Sequence, residues 1–174
     1  MSSDPSAVAL ALIDAWNARE LARFLDLLAE DVTWYDPAMP APPARGRAEV
    51  ARFAESVLRA FPDFRYELRA PVYLSPDHAS CVVPWRITAT HTASLTPPGY
   101  APTHRRMVVD GLDQLDMNDG KVIRILTYFD ILGAAEQLLD ATLRPQAGSV
   151  FQRAAVGVQR VMAARARRRA RRSS

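Results

Sequence analysis

The stretch Thr103–Asp130 reads THRRMVVDGLDQLDMNDGKVIRILTYFD, two alternating runs joined at Asn118-Asp119-Gly120. Asp-Gly between apolar runs is a strong signal for a two-residue turn, so this segment is expected to form a long antiparallel hairpin. Strand side chains alternate between faces, which puts Met107, Val109, Gly111, Asp113, Leu115 and Met117 on one side. Arg106, Val108, Asp110, Leu112, Gln114 and Asp116 take the other. Asp113 interrupts an otherwise apolar face. A carboxylate there reaches solvent, finds partners, or has its pKa raised by desolvation, and the last case makes an acid or base useful near neutral pH. The competing expectation is an Asp bonded to backbone or to a neighbouring strand.

Working upstream, ASCVVPWRITATHTASL alternates in the same way, with Cys81, Val83, Trp85, Ile87, Ala89 and His91 on one face. Pro84 within it indicates an edge position or a bulge. FRYELRAPVYL, from Phe64 to Leu74, reads as one more strand. Before it, a helix from Arg47 to about Ala60 buries Val50, Phe53, Val57, Leu58 and Phe61, and Phe61-Pro62 stops it. Val32–Asp36 is a short strand candidate, followed by PAMPAPPARG, whose prolines and glycine predict a loop with the character of a lid. Asp4-Pro5 opens a first helix carrying Val8, Leu12, Ile13 and Trp16. A second places Leu21, Phe24, Leu25 and Leu28 on one stripe and ends near Glu30-Asp31. Downstream of the hairpin, Asp130 caps a closing helix from Ile131 to Leu143. Helices first and long strands later indicate an α+β fold: a cone-shaped, curved antiparallel sheet wrapped around N-terminal helices, its apolar interior suited to a small molecule.

A chain of 174 residues suits one domain with an appendage. No apolar run approaches the ~20 residues of a membrane span, and the opening MSSDPSAVALALIDAW lacks the basic start of a signal peptide. Cys81 has no cysteine to pair with, so the chain is expected to be cytoplasmic. The pI of 9.4 belongs to the end of the chain. Residues 144–174 hold nine arginines and no acidic residue, which leaves 13 basic against 19 acidic residues, a balance of −6, for the rest. Within this basic tail Phe151, Ala155, Val158 and Met162 form an apolar stripe before RARRRARR. It is expected to dock on the acidic body, stay solvated, or contact an anionic membrane or nucleic acid phosphates. His78, His91 and His104 are scattered, and there is no glycine-rich phosphate loop, so neither a metal nor a cofactor is expected.

Taken in order, WYDP, AFPD, THTASLTPPGYAPTHRR, GLDQLDM, DGKVIRILTYFD and ILGAAEQLL resemble the SnoaL-like polyketide cyclase or ester cyclase domain of the nuclear transport factor 2-like (cystatin-like) superfamily. The resemblance covers about residues 7–143, with 144–174 as the tail. It implies a homodimer and cofactor-independent isomerase, cyclase or hydrolase chemistry on a hydrophobic polyketide-like or terpenoid-like molecule. The alternative is a non-catalytic binding or interaction module. In the polyketide cyclases an Asn stands where Asp36 stands here, a His at Asp113, and the catalytic Asp at Thr127. Threonine is no general base at neutral pH, although it can donate a hydrogen bond. Asp113, with His91 as a second titratable group and Asp36 near the mouth, is the expected catalytic set. Trp16, Trp34, Tyr35, Trp85, Met107, Val109 and Thr127 are expected to bind substrate, with Thr127 inward beside Ile123, Ile125 and Phe129. The competing expectation for His91 is a strand-end histidine bonded to backbone, and for the tryptophans ordinary core packing. Arg86 binds an oxyanion or, more commonly for its type, pairs with an acid of the sheet.

Overall fold

Asp119 and Gly120 both adopt positive φ, 49° and 74°, as in a two-residue turn whose twist matches the strands it joins. The computed structural model describes residues 4–39, 43–96, 98–144 and 147–170. Its elements are α1 (Pro5–Asn17), α2 (Leu21–Asp26), β1 (Leu28–Tyr35), β2 (Ala44–Arg45), α3 (Gly46–Ala60), β3 (Arg65–Leu68), β4 (Tyr73–Leu74), β5 (Ser80–Thr90), β6 (Arg106–Asn118), β7 (Lys121–Phe129), α4 (Ile131–Leu139) and α5 (Val150–Ala170). Among the described residues the strands form one sheet, ordered β2-β1-β7-β6-β5-β3, with β4 also paired to β5. The core lies on its inward face, where Val83, Trp85, Ile87 and Ala89 of β5 are buried together with Leu12, Trp16, Val50 and Phe53 of α1 and α3.

Several expectations need correction. β1 runs parallel to β7, so the curved, open sheet is mixed and not wholly antiparallel. A helix and several strands separate the two in sequence, and only a tight hairpin forces antiparallel pairing. The second helix ends at Asp26, not near Glu30, because Leu28 pairs with Val122 and enters the sheet. The run from Phe64 to Leu74 splits into β3 and β4. The gap lies beside Pro84, whose carbonyl accepts from Arg69 N at 3.0 Å and which has no N–H to offer a ladder. β5 is therefore an inner strand with an interruption, not an edge. The closing helix stops at Leu139, with Asp140 in the left-handed region at φ 52°.

On the second arm of the hairpin, Met117 pairs with Val122 but Asp116 pairs with Arg124, leaving Ile123 as an extra residue. Such a bulge reverses strand parity. Val122, Ile125 and Thr127 are buried, while Ile123, expected inward, is 39% exposed. Asp130 caps α4 as expected, accepting from Gly133 N at 2.9 Å.

Pro40, Ala41 and Pro42 of the expected lid, Pro97 of the TPPGYAP loop, and Arg171 and Arg172 of the arginine run lie outside the described residues. Residues 141–174 form a unit of their own. Within it α5 exposes Val158 and Met162 of the expected stripe. Among the described residues no helix is long and apolar enough to cross a membrane.

Gly111 stands opposite Trp85 on the inward face. A Cβ there would lie 2.3 Å from Trp85 Cη2 and 2.6 Å from the Tyr128 carbonyl oxygen. Gly111→Ala is therefore expected to cost about 1–3 kcal/mol through overpacking. Urea unfolding would read this as a lower midpoint, with an altered near-ultraviolet tryptophan signal.

Candidate active site

β6 lies between β5 and β7, and its inward Asp113 faces Val83 on one side and Thr127 on the other. Thr127 Oγ1 donates to Asp113 Oδ1 at 2.7 Å, and Trp34 Nε1 donates to Thr127 Oγ1 at 3.0 Å. Trp34 reaches Thr127 because the parallel register sets Trp34 beside Ile125 and Tyr35 beside Leu126. Asp36, one residue past that last pair, accepts from Ala38 N at 2.7 Å through Oδ1 and is near enough for its charge to act on Asp113.

Tyr66 enters from β3, paired with Ile87. Its outer edge is completed by an amide instead of a strand: Asn17 Nδ2 donates to Tyr66 O at 3.1 Å, and Tyr66 N donates to Asn17 Oδ1 at 2.9 Å. α1 thereby fixes the strand that carries the phenol. Trp16, Phe24, Trp34, Tyr66 and Asp113, with aliphatic neighbours, line a cavity of about 30 Å³. That is room for about one water. The rings meet edge to face, Trp16 with Trp34 at 5.9 Å and with Tyr66 at 6.0 Å between centroids.

Asp113 is enclosed by protein yet keeps part of its surface open to this cavity. Burial dominates its titration, the Thr127 hydrogen bond opposes it, and the Asp36 charge reinforces it, so the carboxyl is pushed up to about 7. The Trp85 N–H adds a small lowering from nearby without the alignment of a hydrogen bond. Burial raises Asp36 to about 6 against the pull of the Ala38 N–H. Tyr66 is held well above its ordinary value by burial and then by the charges of Asp113 and Asp36. Near neutral pH the site thus offers a largely ionised carboxylate, a carboxyl that can hold or release a proton, and a phenol that stays a donor.

Of the residues expected in the site, Asp113, Asp36, Thr127, Trp16 and Trp34 are brought together. Trp85 packs behind them, 5.5 Å from Tyr66 and 6.2 Å from Phe129 between ring centroids. Met107 and Val109 share the inward face but pair with Ala89 and Ile87, away from Asp113. Tyr35 points outward and is 43% exposed. His91 lies eight positions beyond Val83, the partner of Asp113, on the order of 25 Å at ~3.3 Å per residue. The two therefore cannot share a proton as expected: they lie on one face but at opposite ends of it. His91 stacks on Phe61 at 5.0 Å, its Nδ1 is 3.5 Å from Thr103 Oγ1, and burial lowers its pKa. Arg86 pairs with Asp110 through two hydrogen bonds of 2.8 and 2.7 Å on the outer face. Tyr66 and Asn17 were not foreseen. The alternation in FRYEL marks Tyr66 as sharing a face with Phe64, but nothing local indicates which strand it joins.

Among the described residues no group of three or more His, Cys, Asp or Glu is placed to hold a metal ion. The family model described as SnoaL-like domain matches residues 9–125. Among solved structures, a provisionally named polyketide cyclase from Pseudomonas putida KT2440 is 22% identical, with TM-score 0.67, covering 79% of this chain and 98% of that one. Another, from Jannaschia sp. CCS1, is 16% identical with TM-score 0.69, over 83% and 95%. A third, from Streptomyces antibioticus, is 21% identical with TM-score 0.63, over 78% and 99%. At such identities the likeness shows the fold. No curated protein matches the chain.

The raised carboxyls make stability depend on pH. The stability contributed by protonated Asp36 and Asp113 is complete below their unfolded pKa of ~3.9 and is lost as pH rises through about 6 and about 7. His91, with its pKa lowered, acts oppositely, and its contribution is lost as pH falls below ~6.5. Between pH 6.5 and 8 the carboxyls set the slope, and urea unfolding should show a loss of about 1 kcal/mol. Asp113→Asn should flatten that slope; a wild-type stability that does not change over this range would put Asp113 in contact with bulk water.

Proposed function

The chain belongs to the SnoaL-like domain family, and from that premise we propose that it is a cofactor-independent cyclase or isomerase that moves a proton on an apolar, polyketide-like or terpenoid-like carbonyl compound. One observation carries this reading. Asp113 Oδ1 is occupied by Thr127, while Oδ2 has no aligned hydrogen bond among the described residues and belongs to a carboxyl that borders the cavity and titrates near 7.

In such a reaction Asp113 takes a proton from the carbon next to a carbonyl. The electrons of that C–H bond pass to the carbonyl oxygen, toward which the Tyr66 O–H can donate. Returning the proton to another carbon isomerises the compound. Attack of the enolate carbon on a second carbonyl closes a ring instead, and the proton goes to the new alkoxide. A cavity of about 30 Å³ is far below the ~300–1,000 Å³ of a ligand pocket, so a substrate of this class enters only if the aromatic rings part. The same closure supports a second reading, a non-catalytic binding or interaction module of this fold.

Proton exchange separates the two. Incubated in deuterium oxide with a panel of apolar ketones and diketones, the protein is expected to speed deuterium uptake at the carbon next to the carbonyl. Asp113→Asn should cut that rate by about 100-fold or more. Ligand binding with no uptake above buffer would favour the module.

A further inference from the structure

The Thr127 hydroxyl has one proton to give and lone pairs to receive. An indole N–H can only donate, so the 3.0 Å contact from Trp34 Nε1 takes a lone pair of Thr127 Oγ1. That closes one direction to the hydroxyl proton, and of those left the one toward Asp113 Oδ1, 2.7 Å away, is where an acceptor stands among the described residues. The second lone pair of the hydroxyl could receive a proton from Oδ1, but the hydroxyl's own proton would then have no acceptor among the described residues, an unmet donor on a buried side chain. Oδ1 accepts whether Asp113 is charged or neutral.

We propose that Trp34 and Thr127 are positioning residues that hold the exchangeable proton of Asp113 on Oδ2, the oxygen with no aligned hydrogen bond among the described residues. The proposal rests on the acid/base reading of Asp113 and adds which atom exchanges the proton and what makes it do so. Without the relay, a neutral carboxyl can turn its proton toward Thr127, where no substrate reaches it. The donor is itself immobilised. Trp34 is 4% exposed, and its ring sits edge to face against Phe53 at 5.1 Å and Trp16 at 5.9 Å. The β1–β7 register sets its backbone beside Ile125. Among the described residues the Asp36 charge raises Asp113, the Asp113 charge raises Tyr66 and Cys81, and no hydrogen bond joins any of these three to Thr127 Oγ1.

The test is the titration of the Asp113 carboxyl carbon by NMR in the full chain, assigned with Asp113→Asn. Thr127→Val keeps the shape but loses the hydroxyl that favours the ionised form, so the apparent pKa should rise by about one unit. Thr127→Ser should return it to the wild-type value. Trp34→Phe frees the hydroxyl to turn and accept from a proton on Oδ1, so the pKa should rise by less than in Thr127→Val. Dispersed amide spectra establish that each variant is folded; if Thr127→Val is not, the serine and phenylalanine variants carry the comparison. An unmoved titration in folded Thr127→Val, or a serine variant shifted like the valine one, would overturn the relay, and an unaffected Trp34→Phe would remove Trp34 from it. The outcomes remain separable from the enzymatic reading. Shifted titrations with no deuterium uptake by the wild type keep the relay and end the acid/base role; uptake with unmoved titrations does the reverse.

Discussion

The register of β6 between β5 and β7 is the constraint on which the site depends. It sets Asp113 between Val83 and Thr127, and Gly111 between Trp85 and Phe129. A slip of one residue would turn every inward side chain of β6 outward. The Asp119-Gly120 turn fixes one pairing, while Gly111 admits the Trp85 ring that no larger residue in its place would tolerate. Charge and packing are thus specified by one alignment: the strand that presents the carboxyl also clears space for the indole behind it.

That alignment has an energetic cost. Burying a carboxyl disfavours its charged form, and the raised values of Asp36 and Asp113 express this. The surroundings of Asp113 offset part of the cost with one hydrogen bond from Thr127 and leave the rest. A fully bonded carboxylate would be more stable and would have an ordinary acidic pKa, with no reason to take up a proton near neutrality. The aromatic walls act in the same direction. Trp16, Trp34 and Tyr66 exclude water from all but about 30 Å³ and supply few dipoles to solvate a charge.

Much of this was legible in the sequence, wherever one strand's alternation sufficed. The hairpin, its turn, the inward face of β5 and the place of Asp113 follow from period-two patterning, and the order of motifs identified the family. What was not legible depends on pairing at a distance. Parity carries along a strand only until a bulge, so Ile123 was misplaced by a single extra residue. A shared face says which side a residue occupies and nothing of how far along it stands, which is why His91 and Asp113 looked like partners. Tyr66 and Asn17 meet across 49 positions of chain, and no local pattern encodes that contact.

Thr127 bears on the last question, whether a missing carboxylate on β7 removes the chemistry. By resemblance to the polyketide cyclases, an acid/base Asp would stand at Thr127 and a His at Asp113. Here those two positions are direct cross-strand partners. Opposed residues carry their Cβ atoms about 4.5–5.5 Å apart, so a carboxyl moved from one strand to the other shifts by about that distance. Both positions face the same interior. A carboxyl on β6 with a hydroxyl on β7 therefore places an ionisable group and the hydrogen-bond donor that meets it on one inward wall. The exchange keeps a buried carboxyl in the wall, and the hydrogen bond from Thr127 offsets part of what its burial costs.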